Sequence, residues 1–162
     1  MSNKELPSSL KLITIWSLVL LTVFLAIKGW EHHREQARFS LNGSTIVLKR
    51  GVDGHFHWPG DVNGVAVDFL VDTGATGTAL PEALARSAGL KPEGQVMSHT
   101  AGGTVRGQLA RADVTLRGGV QAERLVVTVL PNLGAPLLGM DVLSRLHFSQ
   151  QGGELRIEAG SR

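Results

Sequence analysis

Cysteine is absent from this chain, and tyrosine is absent as well. Without cysteine, the chain cannot hold disulfide bonds, iron–sulfur clusters, cysteine-ligated zinc or a cysteine nucleophile. An excess of charge of one sign is also missing, because 16 basic and 14 acidic residues leave a net charge of only +2. This balance, with no basic run, argues against a nucleic-acid-binding protein, so no nucleic-acid partner is expected.

Glycine is abundant, at 20 of the 162 residues, and apolar residues make up 43% of the chain. The apolar content is high enough for a folded domain rather than a disordered chain. The length favours one modest domain with a small appendage. Many glycines and few lysines favour a turn-rich β domain over a helical bundle.

The apolar residues are concentrated near the N-terminus, where no charge interrupts the run from Leu12 to Ile27. A helix over 10–30 would be about 31 Å long at roughly 1.5 Å per residue, close to the thickness of a membrane core. A cleavable secretory signal is the alternative, but no small-x-small cleavage site follows the run. We therefore expect a short tail (1–9) and an uncleaved transmembrane anchor (10–30) in a bacterial inner membrane, with the rest of the chain in the periplasm.

The composition changes twice after this run. Residues 31–43 are polar and of mixed charge, which predicts a juxtamembrane linker, and residues 44–162 carry the pattern of a β domain. The strongest hairpin signal is Asn63-Gly64, because a type I′ turn needs positive φ at both positions. Short helices are predicted over 80–88 and 141–146. Many short strands joined by glycine turns imply a small barrel or sandwich.

The informative stretch for chemistry is the apolar strand that ends in Asp72-Thr73-Gly74-Ala75. A carboxylate at the end of a buried strand is costly unless it is paired or hydrogen-bonded. The Thr73 hydroxyl can bond locally or to a symmetry partner, and Gly74 allows another backbone to approach closely. Most chance copies of such a triplet would be plain turns, so the triplet alone is only suggestive.

Two further segments accompany the triplet: a glycine-tipped hairpin, and the later Leu137-Leu138-Gly139 followed by a short helix. Together with Val71–Ala75, this combination resembles the retropepsin-like aspartic proteases, and more specifically their single-domain, membrane-anchored bacterial members. The resemblance spans about 54–158. It implies an all-β, closed barrel-like fold with one or two short helices. It also implies that Asp72 is the catalytic aspartate and that Thr73, Gly74 and Ala75 form and brace its loop.

The resemblance assigns further roles. The hairpin from Ser98 to Gly107 corresponds to the flap that closes over the substrate. Floor and flap residues expected to contact substrate are Thr76, Ala101, Gly102 and Gly103. Leu138 and Gly139 are expected to pack behind the active-site loop. In the retroviral relatives an Asp–Arg ion pair occupies the positions of Thr76 and Met140 here, and losing both members of a pair can be nearly neutral.

Aspartic proteolysis needs two carboxylates that share one proton, one to deprotonate water and one to protonate the peptide carbonyl. The sequence has no second Asp-Thr-Gly or Asp-Ser-Gly. We therefore expect a homodimer in which Asp72 of each copy meets at the twofold axis. Ala75 has no donor for the ionised carboxylate, which favours an acidic to mildly acidic optimum. The expected substrate is an extended polypeptide, with no cofactor and no metal.

Other interpretations stay open. The same fold could serve as a membrane-tethered peptide-binding or dimerisation module with little turnover, and a chance triplet on an unrelated β domain is a third possibility. His55 and His57 share a strand face, but no third metal ligand is evident nearby. Asp141 is expected to be a helix cap or a buried acceptor. The last strand, Leu155–Ala159, is the natural candidate for pairing between subunits.

Overall fold

A computed structural model describes residues 8–36, 39–42, 44–100 and 103–158. Contacts divide the chain into two compact units, Met1–Ala37 and Arg38–Arg162. The first unit contains α1 (Ser8–Gln36). The elements of the second unit are, in chain order, β1 (Phe39–Asn42), β2 (Thr45–Lys49), β3 (His57–Val62), β4 (Val65–Val71), β5 (Ala79–Pro81), α2 (Glu82–Ser87), β6 (Gly94–Thr100), β7 (Gly103–Leu116), β8 (Val120–Leu130), β9 (Leu137–Leu138), α3 (Met140–Leu143), β10 (His147–Gln151) and β11 (Glu154–Glu158).

The helix α1 covers the predicted anchor and continues beyond it. Its large apolar side chains from Leu12 to Ile27 are 44% to 68% exposed. Over the residues that the structure describes, none of the helices meets the length and apolarity of a membrane span.

The segment 31–43, predicted to be a linker, instead contains the end of α1 and the strand β1. Phe39–Asn42 alternates apolar and polar residues over only four positions, too few to indicate a strand from the sequence alone. The antiparallel partner β2 supplies the pairing, with Phe39 opposite Leu48. The β unit therefore begins before residue 44.

Seven strands form the larger sheet, in the order β3-β4-β9-β5-β8-β7-β6. A further antiparallel pairing between β3 and β7 joins the two sides, so the sheet closes into a barrel with β6 as an extension of β7. The closed barrel-like β fold predicted from the sequence is confirmed. Closure leaves few unpaired strand edges, which protects a small β domain from edge-to-edge association.

The smaller sheet has four strands in the order β1-β2-β11-β10. Its strand β11 pairs with β2 on one side and with β10 on the other. Because both hydrogen-bonding edges of β11 are used within the chain, the prediction that Leu155–Ala159 pairs between subunits is wrong over the described residues 155–158. The edge strands of this sheet are β1 and β10.

One hydrophobic core joins the two sheets. Ile46 and Leu155 of the smaller sheet belong to the same buried cluster as Trp58 and Leu138 of the barrel. The Trp58 indole is fully buried, and its N–H donates a hydrogen bond of 2.8 Å to the carbonyl of Arg117. A buried indole N–H usually needs a hydrogen-bond acceptor, and the Arg117 carbonyl supplies one here.

The turn between β3 and β4 has the predicted type I′ geometry, with φ of 49° at Asn63 and 80° at Gly64. The helix predicted over 80–88 is shorter, because residues 79–81 pair with β8 as strand β5 before α2 begins. Gly89 ends this helix with a positive φ of 66°, as its position indicated.

The strand β7 continues through Gly107, which ends the predicted flap hairpin. Gly107 is buried against β8, where a Cβ would lie 2.9 Å from the carbonyl oxygen of Val129. The glycine therefore permits close packing of two paired strands rather than a turn. One edge of β7 pairs with β8 over 108–116, and the other edge pairs with β6 over 103–109 and with β3 over 114–116.

The ring of His57 lies between two carboxylates. Its Nε2 is 2.7 Å from Asp53 and its Nδ1 is 3.2 Å from Asp68. The hydrogen bond with His57 lowers the pKa of the Asp53 carboxyl. These contacts tie the turn before β3 to the neighbouring strand β4, which gives His57 a structural role.

Candidate active site

The carboxylate of Asp72 stands at the end of β4, immediately after that strand pairs in parallel with β9. Val71 lies opposite Leu138 in this pairing. The next step of the ladder is a hydrogen bond of 3.0 Å from the Asp72 N–H to the Leu138 carbonyl. The position of the aspartate is therefore set by the backbone of a segment far away in sequence.

The chain turns directly after Asp72. The Ala75 N–H donates to the Asp72 carbonyl at 3.2 Å, and the Gly74 N–H donates to Asp72 Oδ1 at 2.9 Å. Thr73 and Gly74 are exposed, whereas Asp72 is half-buried. A backbone N–H aimed at a carboxylate oxygen orients the side chain. The loop thus presents one oriented carboxylate at the surface of the chain.

The predicted supporting pair, Leu138 and Gly139, lies behind this loop. Both residues are buried, and the next residue, Met140, donates its N–H to the Ala75 carbonyl at 2.9 Å. A Cβ on Gly139 would lie 2.4 Å from the carbonyl carbon of Gly77. Two backbones touch here, so only glycine fits at position 139.

The far end of the loop is held by Asp141. The Thr78 N–H donates to Asp141 Oδ2 and the Thr78 hydroxyl donates to Asp141 Oδ1, both at 2.9 Å. Thr78 is fully buried, and its hydroxyl oxygen also accepts the Gly139 N–H at 3.3 Å. Asp141 does not cap α3, whose N-cap residue is Gly139. Of the two roles expected for Asp141, the structure confirms that of an acceptor.

Thr78 is the site residue that the sequence did not reveal. It lies 63 positions from Asp141, and neither residue belongs to the Asp-Thr-Gly triplet or the Leu-Leu-Gly segment. A threonine before a short strand has no local feature that indicates a buried hydroxyl. Only the alignment of β4, β5 and β9 brings the two side chains together.

The expected flap is a hairpin of β6 and β7, which pair from Gly94 opposite Leu109 to Thr100 opposite Gly103. Gly103 has a φ of +111°, and the Thr100 hydroxyl donates to its carbonyl at 2.8 Å. Ala101 and Gly102, predicted at the tip, lie outside the described residues. Thr76 is exposed on the loop that carries Asp72.

No cluster of three or more histidine, aspartate or glutamate side chains suited to a metal ion occurs among residues 8–36, 39–42, 44–100 and 103–158. The polar groups that the loop itself presents are the Asp72 carboxylate, the Thr73 hydroxyl and the backbone N–H groups.

Comparison with known families gives a match over residues 58–145, just over half of the chain, to the family described as "gag-polyprotein putative aspartyl protease". The match runs from β3 to the end of α3, so it contains both the Asp72 loop and the segment behind it.

Several individual proteins are also similar to this chain. A retropepsin-like aspartic protease from Rickettsia conorii is 28% identical, with a TM-score of 0.57 over 74% of this chain and 93% of that structure. An uncharacterized protein of Rickettsia prowazekii is 27% identical over 89% of this chain and 68% of its own length. A protein encoded in the cobV 5′ region of a Sinorhizobium species is 34% identical over 69% of this chain, which spans only 51% of that relative.

The contact between Gly139 and Gly77 yields a direct test. We expect Gly139→Ala to lower the free energy of unfolding by about 1–3 kcal/mol, because the added methyl forces two packed backbones apart. Thermal unfolding of the full chain measures this effect. Gly134→Ala is the matched control, since nothing lies within 4 Å of a Cβ at that position. Equal unfolding temperatures for both variants would show that the close contact does not constrain the loop.

Proposed function

The chain belongs to the family of retropepsin-like aspartic proteases, and we propose that it is a membrane-anchored endopeptidase whose active centre forms between two copies. The observation that carries the proposal is the Asp72 loop. Its carboxylate is half-buried and oriented by Gly74, and its backbone is fixed by Leu138. The Gly74 contact alone would also suit an ordinary Asx turn. The support for a catalytic role is that this turn is fixed to the Leu138–Gly139 segment and lies within the region that matches the protease family.

The requirement for a second copy follows from chemistry. Peptide hydrolysis by aspartates takes two carboxylates that share a proton, and this sequence supplies a single Asp-Thr-Gly. A twofold dimer places Asp72 of one copy beside Asp72 of the other. The exposed Thr73 on each loop is then available to brace the two loops across the axis.

The proposed reaction begins with two proton transfers. The ionised Asp72 of one copy takes a proton from water as the water oxygen attacks the carbonyl carbon of the scissile peptide. The protonated Asp72 of the other copy donates its proton to the carbonyl oxygen, which gives a tetrahedral intermediate with two hydroxyls. Two further transfers accompany the break of the C–N bond: the amine takes the proton that the first Asp72 removed from water, and one hydroxyl of the intermediate returns a proton to the second Asp72, so the dyad again holds one proton.

The proposed substrate is a polypeptide in extended form. The hairpin of β6 and β7 projects from the barrel as a pair of strands with exposed positions along it. An extended peptide binds beside such elements through main-chain hydrogen bonds, and pockets for alternate side chains give preference. The chemistry needs neither a metal nor an organic cofactor.

The proposed location is the periplasmic side of a bacterial inner membrane, with α1 as the anchor. The support is the uncharged run from Leu12 to Ile27, whose large apolar side chains are all exposed on the helix. A continuous apolar surface of this kind is costly in water and favourable in lipid. Tethering in one membrane also raises the local concentration of the two copies.

The dimer is tested by mixing wild-type and Asp72→Asn chains at equal levels in one cell. A mixed dimer holds one carboxylate and is inactive, so we expect the cleavage of labelled casein to fall to about one quarter when chains pair at random. If each chain held a complete site, the mixture would retain about half of the wild-type cleavage of casein. Asp68→Asn, on the same strand but outside the loop, is the control and should leave the rate unchanged.

Pure Asp72→Asn should lower cleavage by at least ~10²-fold, the usual scale for losing a general acid–base group. Equal cleavage by this variant and the wild type would leave a peptide-binding or dimerisation module as the better account of the chain.

The acidic optimum is tested at position 75. A serine hydroxyl can donate to the ionised carboxylate, and a hydrogen bond to a charged group contributes about 1.5 kcal/mol. We therefore expect Ala75→Ser to move the pH–rate profile down by about one pH unit, since 1.36 kcal/mol corresponds to one unit. Ala75→Gly, which adds no donor, should keep the wild-type profile. A wild-type maximum above neutral pH would contradict the assignment.

The anchor is tested in bacterial cells that express the full chain. We expect the protein to stay with the membrane pellet after extraction at high pH, and to become accessible to added protease once the outer membrane is removed. A Leu20→Arg, Val23→Arg double variant places charges within the apolar run and should release the protein. Wild-type protein in the soluble fraction would overturn the anchoring.

A further inference from the structure

We propose that Asp141 acts through the buried Thr78 hydroxyl as a positioning residue that sets the geometry of the catalytic loop. The inference rests on the proposed protease function and assigns a role to a carboxylate that the proton transfers do not use. Asp141 touches neither substrate nor water in this mechanism. Its effect reaches Asp72 through Thr78 and the loop backbone that joins Thr78 to Asp72.

The first argument is the bidentate contact itself. Both oxygens of Asp141 accept from the same residue, Oδ1 from the Thr78 hydroxyl and Oδ2 from the Thr78 N–H, each at 2.9 Å. Two hydrogen bonds to one residue fix its orientation as well as its distance, and bonds to a charged acceptor are the strong ones. Thr78 has no freedom to rotate, because its side chain is fully buried.

The second argument is where these bonds act along the loop. The segment from Asp72 to Thr78 is held at three points by four consecutive residues, 138–141. Leu138 accepts from Asp72 at the start, Met140 donates to Ala75 in the middle, and Asp141 binds Thr78 at the end. The Thr78 hydroxyl also accepts the Gly139 N–H, so it links the end of the loop to the residue packed behind it.

The third argument is the nature of the charge. Asp141 receives three donors, the two groups of Thr78 and the N–H of Val142 at 3.0 Å. Within the described part of the chain no lysine, arginine or histidine forms an ion pair with it. Its half-buried charge is therefore compensated by hydrogen bonds from the loop, and any shift of Thr78 leaves a carboxylate oxygen unpaired.

A stabilising role alone and a positioning role predict different kinetics. A variant that only unfolds more easily loses active molecules in proportion, without change in the pH profile of those that remain. A displaced loop changes the separation of the two carboxylates in every molecule. Weaker sharing of the proton then brings the acidic and basic limbs of the pH–rate profile closer together.

The experiment uses the full chain in detergent, with labelled casein as the substrate. Thr78→Val keeps the shape and removes the hydroxyl, Thr78→Ser restores it, and Asp141→Asn keeps one acceptor oxygen. Thr115→Val, on β7, is the matched control. We expect Thr78→Val to lower kcat by at least ~10-fold with KM within about twofold, since small displacements at a reacting centre are costly. Its pH profile should narrow, and Thr78→Ser should recover most of both.

Amide hydrogen exchange supplies a readout independent of cleavage. We expect Thr78→Val and Asp141→Asn to speed exchange over residues 72–78 and to leave the β8 strand as protected as in the wild type. Should Thr78→Val not fold, Asp141→Asn carries both measurements. Folded variants with wild-type kcat and pH profile overturn the inference, as does unchanged loop exchange. If the variants exchange faster over residues 72–78 as expected but the wild type does not cut casein, the protease assignment alone is overturned.

Discussion

Two backbone hydrogen bonds, from the Asp72 N–H to the Leu138 carbonyl and from the Met140 N–H to the Ala75 carbonyl, hold the Asp72 loop against the segment behind it. Each is worth only about 1 kcal/mol. They matter because they act across the contact between Gly77 and Gly139, where no side chain fits. The parallel pairing of β4 with β9 is what brings these backbones into register. The position of Asp72 thus depends on a strand of two residues, Leu137–Leu138, far along the chain.

The same arrangement explains how a small domain can hold the Asp72 carboxylate in one position. The closed barrel and the buried cluster around Trp58 and Phe69 support the strands from which the Asp72 loop extends, so few hydrogen bonds within the loop are needed. The carboxylate of Asp72 remains half-buried and accepts one N–H within the loop. In the proposed dimer, a second copy supplies the proton donor that completes the dyad, so the same loop is used twice.

Local turn chemistry made much of the fold predictable. Asn63-Gly64 adopts the positive φ values that a type I′ hairpin requires, and Gly152 and Gly153 do the same before the last strand. The strands β2, β3 and β4 follow from alternation and apolar runs. The strands of two to four residues, β1, β5 and β9, were not predicted, because they exist only through their partners. Gly107 packs beneath a neighbouring strand, and in sequence such a glycine looks the same as one in a turn.

By itself the sequence determined which carboxylate the proposed reaction uses, because Asp72-Thr73-Gly74 carries its own turn and its own carboxylate. It also determined that Leu138 and Gly139 belong behind that loop, through their resemblance to a known pattern. Only the tertiary structure decided which residue holds the loop's far end, since Thr78 and Asp141 are 63 positions apart and meet through strand register. It likewise decided that β11 is an inner strand. Turn preferences are encoded in neighbouring residues, whereas strand partnership depends on the closure of the whole barrel.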